Sequence, residues 1–350
     1  MSGTPARTAD AAPAAEVVCL GESMVTFLPS RPGRLADVPS FGRGIGGAES
    51  NVACALAAAG HRAAWVSRVG ADGFGDHLVE AVAGYGVDTS AVQRDPARPT
   101  GIYFRTATDR AADVHEVAYY RAGSAASAMS PDNVPYEALF AGRVLHLSGI
   151  TAALSADCLA LLHDLTAPRP GRPLISFDVN HRPGLWRDAD AAPEVLLDLA
   201  RRSDLVFVGE DEAEEAWGVK GAEAIRAALP EPGVLVVKRG SDGATVFSDT
   251  GEADDVTTVP ALRVDIVAPV GAGDAFAAGF LSATLRDLPL RDRVRHGHLM
   301  AAAVLTVPGD LTDPPARAHA DALAALDAEA WGRLRLGPGW TGDDQEVRTT

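Results

Sequence analysis

The sequence predicts an α/β protein: a doubly wound, mostly parallel sheet flanked by helices, with a small antiparallel β lid. Three observations predict it. Short apolar runs such as Glu16–Leu20, Leu205–Val208 and Val234–Lys238 have strand length and read as strands buried on both faces. Segments of helical period alternate with them. Between these, Ile102–Arg105 and Val117–Arg121 interrupt the rhythm as two amphipathic strands around a polar tip, the pattern of an antiparallel hairpin inserted into a βα alternation.

Taken in order, residues 1–15 are Ala, Pro, Thr and Ser without periodicity and are expected to form a disordered leader. Glu16–Leu20, closed by Gly21, is the first strand, and Val25–Leu28 the second. Arg31–Gly44 is rich in Pro, Gly and Arg, with Phe41 isolated among them. Gly46 and Gly47 precede a helix of small residues, Val52–Ala59, ended by Gly60. Alanine is the best helix former, which explains most of that helix. Two adjacent glycines before it let a ligand approach the backbone. Ala63–Val69 reads as a strand, the turn Gly70–Gly75 leads to a helix ending near Ala83, and Val87–Val92 as another strand.

After Pro131 strands are expected at Arg143–Leu147, Pro173–Val179, Leu205–Val208 and Val234–Lys238. Helices are expected at Ser155–Leu165, Ala192–Arg201, Asp211–Trp217 and Ala222–Ala228. Ala244–Phe247 and Glu252–Val259 read as a hairpin. Two or three helices follow, over about 291–305 and 318–326, and residues 336–350 read as a loose tail. The whole is one α/β domain over 16–335, its lid built from about 25–45 and 98–122.

The net charge of −16 leaves no basic patch for nucleic acid, so an anionic substrate must be met by local arginines. Cys19, Cys54 and Cys158 are far apart in apolar surroundings, as reduced thiols of a cytoplasmic protein would be. No apolar run spans a membrane and no secretory signal opens the chain.

The stretch with most chemistry is Val267 to Phe280. Val267-Ala268 reads as a strand end stopped by Pro269. Gly271, Ala272 and Gly273 then leave the backbone bare, and a helix follows with Phe276, Phe280, Leu281 and Leu285 on one face. A bare turn opening a helix directs N–H groups at the positive end of the dipole, a site for phosphate. Asp274 lies in that first turn, and the dipole favours its ionised form, so it is expected to be a carboxylate at neutral pH. A carboxylate beside an anion hole takes a proton from a hydroxyl while the hole stabilises a transferring phosphoryl group. An acid that merely caps a helix is an equally common pattern.

The double glycine with Asn51 and Gly60, the turn at Gly70–Gly75 and Gly271-Ala272-Gly273-Asp274 occur together in this order. That set resembles the ribokinase-like (phosphofructokinase-B) family of sugar kinases, over about residues 16–330. Within the family the chain looks most like its 2-keto-3-deoxygluconate kinase branch. The residues carrying that likeness are Gly21-Glu22, Tyr119-Tyr120-Arg121 with Ser124-Ala125, His146 to Thr151, and Asp178 to Arg182.

The resemblance implies ATP and magnesium as partners of the reaction and a sugar acid as acceptor. It implies Asp274 as base and Gly271, Ala272 and Gly273 as anion hole. It implies Gly46, Gly47, Asn51, Tyr103, Tyr119, Arg121, Ile150, Arg182 and Asp310 at the sugar acid. On the nucleotide side it implies Lys238, Gly240 and Gly243, besides Gly271 and Gly273, with Glu212 near the magnesium and phosphates. Two positions depart from the family. Ala268 stands where an Asp is usual, so a potassium site through that side chain is not implied. Gly209 stands where an Asn often precedes the acidic residue by three. A homo-oligomer is also implied, a dimer through the lid or something higher.

Other readings make different demands. A kinase of a neutral sugar such as fructose or ribose has no need of both Arg121 and Arg182. A non-catalytic sugar-acid-binding regulator would have lost the base or the anion hole, and both are intact. A nicotinamide-dependent dehydrogenase needs Gly-x-Gly-x-x-Gly after the first strand, which Gly21-Glu22-Ser23-Met24 does not supply, and no P-loop motif is present.

Overall fold

Apolar alternation along the strands builds the core. In the computed structural model, which describes residues 15–106, 116–249, 251 and 254–342, the main sheet has eight strands. In chain order the strands are β1 (Val17–Leu20), β2 (Met24–Pro29), β3 (Phe41–Gly46), β4 (Ala63–Val66), β5 (Arg68–Gly70), β6 (Gln93–Asp95), β7 (Ile102–Arg105) and β8 (Val117–Tyr120). They continue as β9 (Val144–Ser148), β10 (Leu174–Asp178), β11 (Leu205–Gly209), β12 (Val234–Lys238), β13 (Ala244–Asp249), β14 (Asp254–Val259), β15 (Arg263–Val264) and β16 (Arg335–Leu336).

The helices are α1 (Ala48–Ala58), α2 (Gly73–Gly84), α3 (Tyr136–Leu139), α4 (Gly149–Leu154), α5 (Ala156–Thr166) and α6 (Ala192–Arg201). After these come α7 (Glu210–Trp217), α8 (Ala222–Ala228), α9 (Ala272–Leu285), α10 (Leu290–Leu305), α11 (Arg317–Ala324) and α12 (Ala328–Arg333).

The sheet runs β14-β13-β12-β11-β10-β9-β1-β4, and only β13 opposes the others. Val17, Cys19, Leu205 and Phe207 face a core with α1, α9 and α10. Their neighbours Val18, Leu20, Val206 and Val208 face a second core with α5 and α6. This period-two split between two buried faces explains why these strands read as continuous apolar runs. The strand order reverses between β1 and β9, which opens a crevice at their carboxyl ends, where ligands bind in such folds.

The lid is a separate sheet, β3-β2-β7-β8, two antiparallel pairs joined by a parallel β2–β7 pairing. Phe27, Phe41 and Phe104 cluster on one face, with the Phe27 and Phe104 rings stacked at 4.6 Å. Tyr103 and Tyr119 meet across the β7–β8 pair on the other.

Within the expected lid, Phe41–Gly46 pairs with β2 despite its glycines. Four local expectations change. The strand expected over Ala63–Val69 breaks at Ser67, where the chain leaves the main sheet for the short β5–β6 pair. Val87–Val92 is not a strand; β6 lies just beyond it and only Asp88 bridges to Ala64. Val267-Ala268 is not a strand end: Val267 is exposed and its N–H bonds the Leu305 carbonyl. The tail is not loose from Leu336 to Trp340, since Leu336 is buried beside β15 and Trp340 packs on His319. Trp340 carries enough apolar surface to hold that segment down. The expected leader falls almost wholly, and the last eight residues of the expected tail wholly, outside the described residues.

Candidate active site

Helix α9 begins at Gly271, whose φ of +75° is the left-handed conformation that suits glycine. A side chain there would also strike the Asp310 carbonyl, 2.6 Å from its Cβ position. No side chain caps this helix. The N–H groups of Ala272, Gly273 and Asp274 therefore have no partner within the helix.

Asp274 accepts a hydrogen bond at 2.8 Å from Asn51 Nδ2, across the contact of α1 with α9. The other Asn51 atom, Oδ1, is buried without a partner among the described residues. The dipole does not decide the charge of Asp274. Burial raises its pKa to about 7, against the Asn51 hydrogen bond; Asp178 adds to the rise, Lys238 opposes it, and Asp310 adds again. Its place at a helix start suggested a firmly ionised carboxylate, whereas burial holds its pKa well above the usual carboxylate range.

Asp310 lies under the lid. Its carboxylate takes a 2.7 Å bond from Arg105 Nη2 and a 3.3 Å bond from the Tyr103 hydroxyl. Burial holds Asp310 above the usual carboxylate range, against the pull of Arg105 and Tyr103. Burial pushes Tyr103 up as well. Gly46 is glycine because a Cβ there would lie 2.3 Å from the Tyr103 oxygen. At Gly47 a Cβ would strike the Glu22 carbonyl at 2.3 Å, so both glycines serve packing of the pocket's own walls.

Arg121 donates from Nε to Glu22 Oε2 at 2.7 Å, and its guanidinium lies 5.8 Å from the Tyr119 ring. Ser124 donates to the other Glu22 oxygen. Tyr119 itself is 56% exposed, free to meet a ligand. Ile150 is partly buried at the start of α4, and its N–H bonds Ser148 Oγ.

The side that the resemblance implies for the nucleotide is built on the ends of β10, β11 and β12. Lys238 Nζ donates to both oxygens of Asp178, at 3.1 and 2.9 Å. Burial pulls the Lys238 pKa down, but Asp178, Glu212 and Asp274 outweigh it and hold the amine above its ordinary value. Gly240 opens the turn after β12 at φ +53°. Gly243, at φ +104°, has the Val259 carbonyl 2.1 Å from its Cβ position, so the fold itself requires that glycine.

Arg182 is the predicted sugar residue whose described contacts lie elsewhere. It reaches Glu212 Oε1 at 3.3 Å and Asn180 Oδ1 at 3.1 Å, on the nucleotide side, and its side chain is half exposed. Glu212 spends its other oxygen on the Gly209 N–H at 2.9 Å, closing the start of α7. Ala268 is buried and apolar, with no carboxylate to offer a cation.

Four polar residues of the site had no assigned role in the sequence reading. Arg105 had a signal: it falls two residues after Tyr103 on an amphipathic strand, hence on the same face. Glu22 and Asp178 close the strands on either side of β9 but carry no local pattern that gives them partners. Glu49 is fully buried at the start of α1, where Ser148 and Thr151 both donate to its Oε1 at 2.7 Å. Burial raises its pKa against those two bonds.

The profile of pfkB family carbohydrate kinases matches residues 14–317. A 2-dehydro-3-deoxygluconokinase of Bacillus subtilis is 36% identical over 307 residues, 86% of this chain and 93% of that protein. One of Thermoproteus tenax is 34% identical over 310 residues, 88% and 93% of the two chains. The crystal structure of a PfkB protein from Polaromonas superposes with a TM-score of 0.77 at 34% identity, over 88% of this chain and all of that one.

Proposed function

Because the chain belongs to the pfkB family of carbohydrate kinases, we propose that it transfers the γ-phosphoryl group of ATP to the C6 hydroxyl of 2-keto-3-deoxygluconate, giving 2-keto-3-deoxy-6-phosphogluconate. As a carbohydrate kinase it is a phosphotransferase acting on an alcohol. The observation that carries the mechanism is the Asp274 carboxylate, fixed by Asn51 at the uncapped start of α9.

In this reading Asp274 takes the proton of the C6 hydroxyl as the oxygen attacks the γ-phosphorus. The bond from that phosphorus to the β–γ bridging oxygen breaks, and ADP leaves with the electron pair. The N–H groups of residues 272–274 receive the charge on the transferring group. Asn51 keeps the carboxylate turned to the pocket and leaves its own Oδ1 for a sugar hydroxyl. Gly46, Gly47, Tyr103, Tyr119, Ile150 and Asp310 line the sugar, and Lys238 with Gly240 and Gly243 meet the nucleotide. The lid excludes water, which would otherwise take the phosphoryl group.

Magnesium, when bound with the nucleotide, supplies charge neutralisation between the β- and γ-phosphates. Among the described residues no three His, Cys, Asp or Glu side chains are gathered to hold a metal ion. Both Glu212 oxygens are engaged, yet Glu212, Asp178 and Asp274 all act on Lys238 in one electronegative patch. Such a patch fits a magnesium carried by phosphates and water, with Glu212 at one remove.

The sugar-acid assignment is supported by the two relatives above and by the guanidinium of Arg121, which suits a planar carboxylate. One observation favours a neutral sugar instead: Arg121 is already paired with Glu22 and Arg182 with Glu212. The test is an ATP-coupled assay of 2-keto-3-deoxygluconate, its galactonate epimer, fructose and ribose. Faster turnover of fructose or ribose than of either keto acid overturns the assignment. The exposed lid residues Val117, Tyr119 and Tyr120 support a homodimer through the lid. Among the described residues no helix is long and apolar enough to cross a membrane.

A further inference from the structure

Three neighbouring strand ends carry an arrangement that the proposed reaction leaves unexplained. Lys238 ends β12 and Asp178 ends β10, with β11 between them. The residue of β11 paired with Lys238 is Gly209. The ammonium reaches across the end of β11 and grips both Asp178 oxygens, at 3.1 and 2.9 Å. It also lies 3.7 Å from the Cβ position of Gly273, inside the bare first turn of α9.

A structural staple explains this poorly. The strands it would join are already tied through β11 by backbone ladders. A buried ion pair returns little net stability after desolvation. Asp178 is 2% exposed at the side chain, whereas Lys238 keeps 19%, so the open side of the pair is the ammonium. An ammonium has three donors, and its described bonds all go to Asp178. Bonding both oxygens uses two donors and leaves one beside the anion hole.

We propose that Lys238 is a catalytic residue that bonds the transferring phosphoryl group, with Asp178 as the residue that positions it. The proposal deepens the kinase reading, on which it rests. A point charge beside the hole counters charge on the equatorial oxygens as they separate from ADP, and Asp178 keeps the lysine from swinging to Asp274 or Glu212.

The test compares ground-state and transition-state ligands. ADP with magnesium, and ADP with magnesium and fluoroaluminate, are titrated calorimetrically in the presence of the sugar that the coupled assay selects. Wild type should bind the fluoroaluminate complex far more tightly than ADP. Lys238→Met should lose about 100-fold or more of that preference, with ADP affinity changed less than about threefold, and kcat should fall in step. Lys238→Arg should recover part of both. Because Lys238→Met leaves Asp178 buried and unpaired, the pair Lys238→Met with Asp178→Asn is measured alongside, and it should fold and show the same loss. A variant that keeps the wild-type preference, or loses ADP and fluoroaluminate affinity equally, overturns the proposal. If wild type itself shows no preference with any sugar, the kinase reading fails, and Lys238 with it.

Discussion

The two ends of the site handle charge in opposite ways. At the lid end, Arg105 and Arg121 are each matched by a carboxylate, Asp310 and Glu22. At the helix end, Asp178, Glu212 and Asp274 crowd one lysine, with Arg182 at the edge. The lid end is therefore neutral before substrate arrives, and an incoming carboxylate must share a guanidinium already engaged. At the helix end burial, with a smaller contribution from Asp178, raises the Asp274 pKa. In the proposed reading, recognition at the first end would rest on geometry, and chemistry at the second would wait for charge to be balanced by a cation that comes with the nucleotide.

The comparison breaks most readily at Asp274. Asp274→Asn should reduce kcat by about 100- to 10,000-fold, the range for loss of a general base, while sugar affinity stays within about threefold. Near-native turnover in that variant would falsify the assignment of the base. At the lid end, Arg121→Ala should raise the KM for the keto acid by about 10- to 100-fold and leave that for fructose nearly unchanged. Equal losses for both would remove the carboxylate argument.

A pH series sharpens the contrast. Asp274 works only when ionised, and its pKa in the free protein is raised to about 7. The kcat/KM for sugar should therefore climb about tenfold per unit below pH 6 and level off above 8. The acid limb of kcat should lie lower, because bound magnesium favours the carboxylate. A profile flat from pH 5 to 8 contradicts this. The smallest effect is expected from Glu22→Gln. It frees Arg121 from its competitor, so keto-acid affinity should rise by about threefold; a fall would mean that Glu22 holds Arg121 in its working pose.

Much of this was readable in the chain. The apolar runs become the central strands because burial on both faces demands uninterrupted hydrophobic residues, and α6 and α8 fall on their expected bounds. The edges were harder. Phe41–Gly46 carries three glycines and still forms a strand, since its pairing with β2 supplies what local propensity lacks. Val267 looked like a strand residue because it is apolar, yet it is exposed near the site.

The sequence alone determined the sheet, the lid hairpin and the start of α9, because periodicity and glycine placement are local properties. The family resemblance, not any local pattern, proposed Asn51, Tyr103 and Asp310 beside Asp274. Only the tertiary structure decided who pairs with whom. Arg121 meets Glu22 across 99 residues, Arg105 meets Asp310 across 205, and Asn51 meets Asp274 across 223. The ionisation of Asp274 was decided there too. A dipole is visible from the residues around a helix start, whereas burial and neighbouring carboxylates come from elements far apart in the chain.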